Sequence, residues 1–191
     1  MKLTHTLALT ALLGFSPLFA TNYTVDAGHT TIGFKIRHMM VSSVRGTFKK
    51  FSGKYNYNPK IRKIKSLEGT VQIASIDTND KKRDDHLRSK DFFDVAKFPT
   101  MHLKLIDHWK RNAIIALTIK GITKKITFKV EDLSKESKDP YGNIKTGFSL
   151  VGKISRKAYN IRFNKFLETG GVAVGDSVKI YLDIEGNKVT K

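Results

Sequence analysis

The chain has 191 residues, 35 lysines and arginines against 17 acidic residues, a formal net charge of +18 and no cysteine. Without a thiol there is no cysteine nucleophile, zinc–thiolate site or iron–sulfur cluster. The basic residues alternate with apolar ones, as in FKIRH and ITFKV, so we read them as the solvated outer face of strands. That pattern favours attraction to anionic lipid surfaces over nucleic acid as a partner.

Residues 1–20, MKLTHTLALTALLGFSPLFA, place one early Lys before an apolar run from Leu7 to Phe15, then Pro17 and Ala20. This is the layout of a signal peptide cleaved after Ala20, although Leu18 stands where a small residue is usual. The run falls short of the ~20 apolar residues that a membrane span needs. The expected product is an exported protein, periplasmic or secreted, with residues 21–191 as one domain.

Period-two alternation then governs the chain, as half-buried strands require. In TIGFKIRH, Ile32, Phe34, Ile36 and His38 share one face, and SLEGTVQI does the same with Leu67, Gly69, Val71 and Ile73. MHLKL sets Met101, Leu103 and Leu105 against His102 and Lys104, with NAIIALTIKG adding Ile115, Leu117 and Ile119. KITFKV offers Ile126, Phe128 and Val130; GFSLVGKI offers Phe148, Leu150 and Ile154; SVKIYLDIEG offers Val178, Ile180, Leu182 and Ile184. Turn signals at Asn58-Pro59, Lys120-Gly121, Asp139–Asn143 and Gly170-Gly171 separate the runs. Only the polar stretch from about Asn79 to Lys90 breaks the rhythm, and Asn79 or Asp80 can cap a short helix there. The expected fold is all-β: about eight antiparallel strands and a short helical connector, closed as a barrel or folded as a sandwich. An eight-stranded barrel is either filled by its own side chains or just wide enough for one small ligand.

The connector SIDTNDKKRDDHLRSKDFFDVAKFP raises the question of chemistry. Asp84, Asp85 and His86 could act as acid and base, with Arg83 or Arg88 holding an anion. No GxSxG, HExxH or glycine-rich phosphate loop accompanies them. The simpler expectation is an ion-paired bridge between strand ends, with Phe92, Phe93 and Phe98 turning back to plug the barrel. Of the histidines beyond the leader, His102 and His108 share strand parity but lie too far apart for one metal ion at ~3.3 Å per residue. His29 is expected to hydrogen-bond Asp26 or a neighbouring strand, and neither a metal nor a cofactor is expected.

In order along the chain, YTVDAGHT (Tyr23–Thr30), IGFKIRH (Ile32–His38), GTF (Gly46–Phe48) and SIDTN (Ser75–Asn79) lead to RDDHLRSKDFFD (Arg83–Asp94) and Phe98-Pro99. KGIT (Lys120–Thr123), ISRKAY (Ile154–Tyr159) and VKIYLDIE (Val178–Glu185) complete the set. Together they resemble the YceI-like family of exported polyisoprenoid-binding proteins. The resemblance implies a lipocalin-like barrel with an elongated apolar interior that holds a polyisoprenoid, a quinone side chain or another long-chain lipid without changing it. The strongly basic surface is a departure that the family pattern does not demand.

On this reading the lining comprises Phe34, Ile36, His38, Phe48, Val71, Phe92, Phe93, Met101, Leu103, Ile115, Leu117, Phe128, Phe148, Leu150 and Ile180. Asn79, Arg83, His86, Arg156 and Asn160 are the polar candidates for the mouth, Arg156 as a bidentate partner of a pyrophosphate or carboxylate. Two rivals stand beside the lipid carrier. One is a lipid-modifying enzyme using Asp84 and His86; the other is a basic surface-interaction protein with a filled core. The oligomeric state, a homodimer included, stays open.

Overall fold

The computed structural model describes residues 20–166 and 172–190, so the expected leader lies outside the described residues except for Ala20. The extended segments are β1 (Thr21–Val25), β2 (Thr31–His38), β3 (Ser42–Phe48), β4 (Phe51–Asn58), β5 (Lys63–Gln72), β6 (Ile76–Asp77), β7 (Thr100–Trp109), β8 (Asn112–Ile119), β9 (Ile122–Glu131), β10 (Ser137–Lys138), β11 (Ile144–Ser155) and β12 (Val174–Lys188). The helix α1 (Lys81–Arg88) lies between β6 and β7.

Several segments are halves of one strand. The long β12 pairs with β1 at Tyr23↔Lys188 and with β2 at Phe34↔Ile180, so β1 and β2 lie end to end. β3 and β4 continue each other likewise, facing β2 at Gly33↔Thr47 and β1 at Tyr23↔Tyr55. β5 runs on into β6, which pairs β3 at Thr47↔Asp77. The result is a closed ring of eight antiparallel strands, each beside its sequence neighbour, sealed where β12 meets both β1/β2 and β11. Closure leaves the ring no unpaired edge strand. The eight-stranded barrel with a helical connector read from the sequence is the fold observed.

Alternation explains why each strand sits as it does. β8 buries Ala113, Ile115, Leu117 and Ile119 and leaves the residues between them partly exposed. β11 buries Thr146, Phe148, Leu150 and Gly152. Register shifts interrupt three pairings, β12–β2, β4–β5 and β7–β8, and the last bears on the histidines. β7 shifts register between Leu105 and Asp107, and the bulge turns the parity over. His102 therefore points outward to Thr70 and Thr100, while His108 is buried, its Nδ1 accepting the Ile64 N–H at 3.0 Å. The shared parity expected for the two histidines fails for that reason.

Depth along the barrel axis divides the interior in two. The lower half, toward the β7–β8 turn, is filled: Tyr23 stacks on Tyr55 at 5.1 Å, Phe148 meets Tyr55 edge-on at 5.1 Å, and Leu67, Leu150 and Ile184 pack around them. The upper half, toward α1 and the β2–β3 turn, gathers Phe48, Val71, Ile73, Phe92, Met101, Leu117, Ile119 and Tyr159 into a second cluster. That cluster surrounds a cavity.

A half-filled barrel with a basic vestibule

The cavity measures ≈ 150 Å³, and its wall is almost wholly carbon. Phe34, Ile36, Phe48, Val71, Phe92, Phe93, Met101, Leu103, Ile115, Leu117, Phe128 and Ile180, all named from the sequence, form much of that wall. Ile32, Leu87, Ile119, Ile154, Tyr159, Ile161, Val174, Val178 and Leu182 add to it, with Gly33, His102 and Arg156 at its border. Ile32, Val178 and Leu182 were legible by parity with their neighbours on β2 and β12. Leu87, Tyr159 and Ile161 come from the connectors at the upper end, where no periodicity marks them.

Phe34, Ile36, Leu87, Phe92 and Val174 also face a second, more open space of ≈ 470 Å³, a vestibule that shares this wall with the cavity. The vestibule carries Arg37, Lys82, Arg83 and Lys165 together with His38 and His86, against one carboxylate, Asp80. His38 thus belongs to the mouth rather than the tunnel. Phe163 joins the rim and stacks with its neighbours: His86 lies edge-on to Phe163 at 4.8 Å and to Phe92 at 5.0 Å. These aromatics form a roof where the two spaces meet.

The connector holds that roof by hydrogen bonds. Asp80 caps α1 by accepting the Arg83 N–H at 3.0 Å. The buried Asp84 accepts the backbone N–H of Thr78 at 3.0 Å and the Thr78 hydroxyl. Arg83 donates from Nε to Thr78 Oγ1 at 2.8 Å and from Nη2 to Thr78 O at 2.7 Å. Arg88 reaches Ala74 O and Ile76 O at 2.9 Å each, and Asp85 Oδ1 at 2.8 Å. Asp84 is thereby committed to Thr78, whereas His86 bonds Asp91 Oδ2 at 2.9 Å. Two residues apart on a helix, Asp84 and His86 do not face each other. They share no hydrogen bond among the described residues, and the acid–base pair of the enzymatic rival is not assembled.

Several expected positions lie elsewhere. Phe148 and Leu150 point inward but sit in the filled lower half, because period two fixes the face and says nothing of depth. Phe98 packs over the β8–β9 turn beside Gly121 instead of plugging the barrel. Asn79 and Asn160 occupy turns at φ 60° and φ 57°, a left-handed conformation that Asn tolerates well, and line neither space. Arg156 borders the cavity, yet its guanidinium is spent on four carbonyls: Gly175 at 2.8 Å, Phe163 at 2.7 Å, Ile161 at 3.0 Å and Val174 at 3.2 Å. It staples the β11–β12 crossing and has no bidentate face left for a phosphate.

Tyr159 contributes the one ionisable side chain of the upper apolar cluster. Its hydroxyl is buried without a hydrogen-bond partner, and burial pushes its pKa up to about 12. At the opposite end Asp26, His29 and Glu185 converge like metal ligands. The Lys145 ammonium lies among them, donating to Asp26 Oδ2 and Glu185 Oε1 at 2.7 Å each, so the cluster is an ion-paired clasp. The expected His29–Asp26 bond is present at 2.9 Å.

The YceI-like domain family matches residues 23–186, which is nearly all of the barrel. The chain belongs to the YceI-like family. A UPF0312 protein of Staphylococcus epidermidis is 42% identical over 168 residues, covering 86% of this chain and 96% of its own. A Campylobacter jejuni YceI protein of known structure shares 32% identity at a TM-score of 0.69, with 86% of this chain and 96% of that one aligned. Burkholderia cenocepacia BcnA aligns at a TM-score of 0.67 with 26% identity over 84% of this chain and 98% of its own. A polyisoprenoid binding domain from Saccharophagus degradans, implicated in plant cell wall breakdown, shares the fold at a TM-score of 0.63 with 13% identity over 90% and 99% of the two chains.

Proposed function

We propose that this YceI-like barrel reversibly encloses a long-chain amphiphile, a polyisoprenoid, an isoprenoid quinone or a fatty-acid derivative, and does not alter it chemically. The observation that carries the reading is an apolar cavity set directly against a basic vestibule, with five side chains common to both walls. A tail would lie among Phe34, Val71, Met101, Leu117 and Ile180, with its head beside Lys82, Arg83 and Lys165. Four permanent cations against Asp80 favour an acidic head over a neutral one. The polyisoprenoid-binding name of the Saccharophagus domain agrees with this assignment. Export to the periplasm or beyond, after cleavage near Ala20, would place the carrier beside membranes, which the basic surface helps it to approach.

Energetics set what such a site can select. Burying a methylene from water yields ~0.8 kcal/mol, but a lipid leaving a bilayer is already out of water, so that gain nearly cancels. Selection then rests on chain length, shape and head charge. A cavity of ≈ 150 Å³ holds only a short stretch of chain. A long tail extends through the vestibule or displaces the roof of Phe92, Phe93 and Phe163.

Leu117→Trp tests the assignment, since indole would fill the cavity from β8. The variant should keep its circular dichroism spectrum and lose lipid uptake at least tenfold. Unchanged uptake by a folded variant contradicts an internal site.

A further inference from the structure

The β2–β3 turn, which flanks the vestibule, is built against its own backbone. Met39 and Met40 both have positive φ, 48° and 59°, and the turn closes with the Val41 N–H donating to His38 O at 3.1 Å. Hairpin turns of this kind are least costly with Asn and Gly. Here two methionines adopt a conformation that a Cβ disfavours, and they bury little in return. Met39 is 46% exposed, Met40 60% and Val41 83%. Turn stability does not explain the choice of residues.

The turn also has an apolar neighbour. The Met39 N–H donates to Ala173 O at 2.7 Å and the Ala173 N–H to Lys165 O at 2.9 Å, which brings Phe166, 90% exposed, alongside. Arg37 and Lys165 flank this apolar set, through the Arg37 bond to Met40 and the Lys165 bond to Ala173, and both line the vestibule that Lys82 and Arg83 also line. Arg37 braces the turn by donating to Met40 O. The other large exposed apolar residues, Ile61, Ile106, Trp109, Tyr141 and Val189, lie on lower-end turns, on β7 or near the C-terminus.

We propose that the Met39–Val41 turn and Phe166 form a docking tip that inserts into the interface of an anionic bilayer and presses the vestibule against the lipid surface. Apolar tips ringed by basic residues are what such an interface binds, side chains among the acyl boundary and cations among the headgroups. Methionine suits the task, because its flexible thioether adapts to an irregular apolar surroundings. The inference rests on the carrier reading in one respect: docking here brings the mouth of the cavity to the membrane, so a lipid need not cross water.

The test is cosedimentation with vesicles of phosphatidylglycerol and phosphatidylcholine, and with phosphatidylcholine alone. The unaltered protein should bind the anionic vesicles and release them in high salt. The double variant Met39→Asn, Met40→Gly should melt at the same temperature or higher, because it relieves the turn, yet bind the anionic vesicles at least tenfold more weakly. It should take up farnesyl phosphate from aqueous solution as the unaltered protein does. Equal vesicle binding by the two proteins overturns the docking tip. So does failure of the unaltered protein to bind anionic vesicles, including the case where the turn instead mediates self-association seen as concentration-dependent mass. Vesicle binding without uptake of farnesyl phosphate, an isoprenoid quinone or a fatty acid would sustain the tip and remove the carrier reading.

Discussion

Tyr159 and Arg156 lie three residues apart at the upper end of the barrel and show two fates of a buried polar group. Arg156 is 3% exposed and spreads its charge over four carbonyls, the arrangement a planar five-donor fork permits. Among the described residues the Tyr159 hydroxyl has no partner. A buried donor left unmet costs about 1–3 kcal/mol, and a native structure keeps one for a reason. On the carrier proposal, the oxygen of a lipid in the cavity that Tyr159 lines would supply that reason. Tyr159→Phe should therefore leave the ligand-free protein as stable as before or about 1 kcal/mol more stable by urea denaturation, and should weaken the binding of an oxygen-bearing lipid. A loss of stability in the lipid-free protein would mean that the hydroxyl already has a partner. Sequence reasoning chose the other residue of the pair, Arg156, because arginine suits a phosphate. Only the backbone around it shows that its donors are taken.

At the scale of elements, strand parity was legible and its interruptions were not. Alternation in β8, β9 and β12 names the inward face correctly, since a one-residue slip would turn every apolar side chain to solvent. The bulge in β7 inserts one residue and turns His108 inward, and no residue type in HLKLIDHW announces it. Depth is equally silent: Phe148 and Leu117 share the inward rule, yet one packs the filled half and the other lines the cavity. Gly152 has a purpose that shows only in three dimensions. A Cβ there would lie 2.8 Å from the Phe128 ring, so glycine lets β11 pass close behind a cavity wall.

The lower end is held by the clasp that ties the β1–β2 break to β11 and β12. Hydrogen bonds from Lys145 and then His29 hold the Asp26 carboxyl well below the usual carboxylate range. A depressed folded-state pKa contributes stability above the unfolded value near pH 4 and loses it as pH falls through the folded value. Asp26→Asn should thus cost about 1–2 kcal/mol at pH 7, with the gap from the unaltered protein narrowing toward pH 3. Denaturation curves at the two pH values check this. An equal gap at both would place the effect in packing rather than charge.

The whole molecule is a barrel stoppered at one end and hollow at the other. Tyrosines fill the lower half, while the upper half keeps its apolar wall apart beneath the aromatic cluster of His86, Phe92 and Phe163. Its basic side chains are spread over the outer face but meet an apolar opening only at the vestibule. This asymmetry gives the barrel a direction, apolar inward and basic outward, that neither composition nor periodicity could specify. Enclosure of a lipid is the central claim. Native mass spectrometry of the protein purified from its own host, followed by solvent extraction and lipid analysis, tests it most directly. The account predicts a one-to-one mass excess that extracts as a long-chain lipid with an acidic head. A bare mass that persists after incubation with prenyl phosphates, isoprenoid quinones and fatty acids would contradict it.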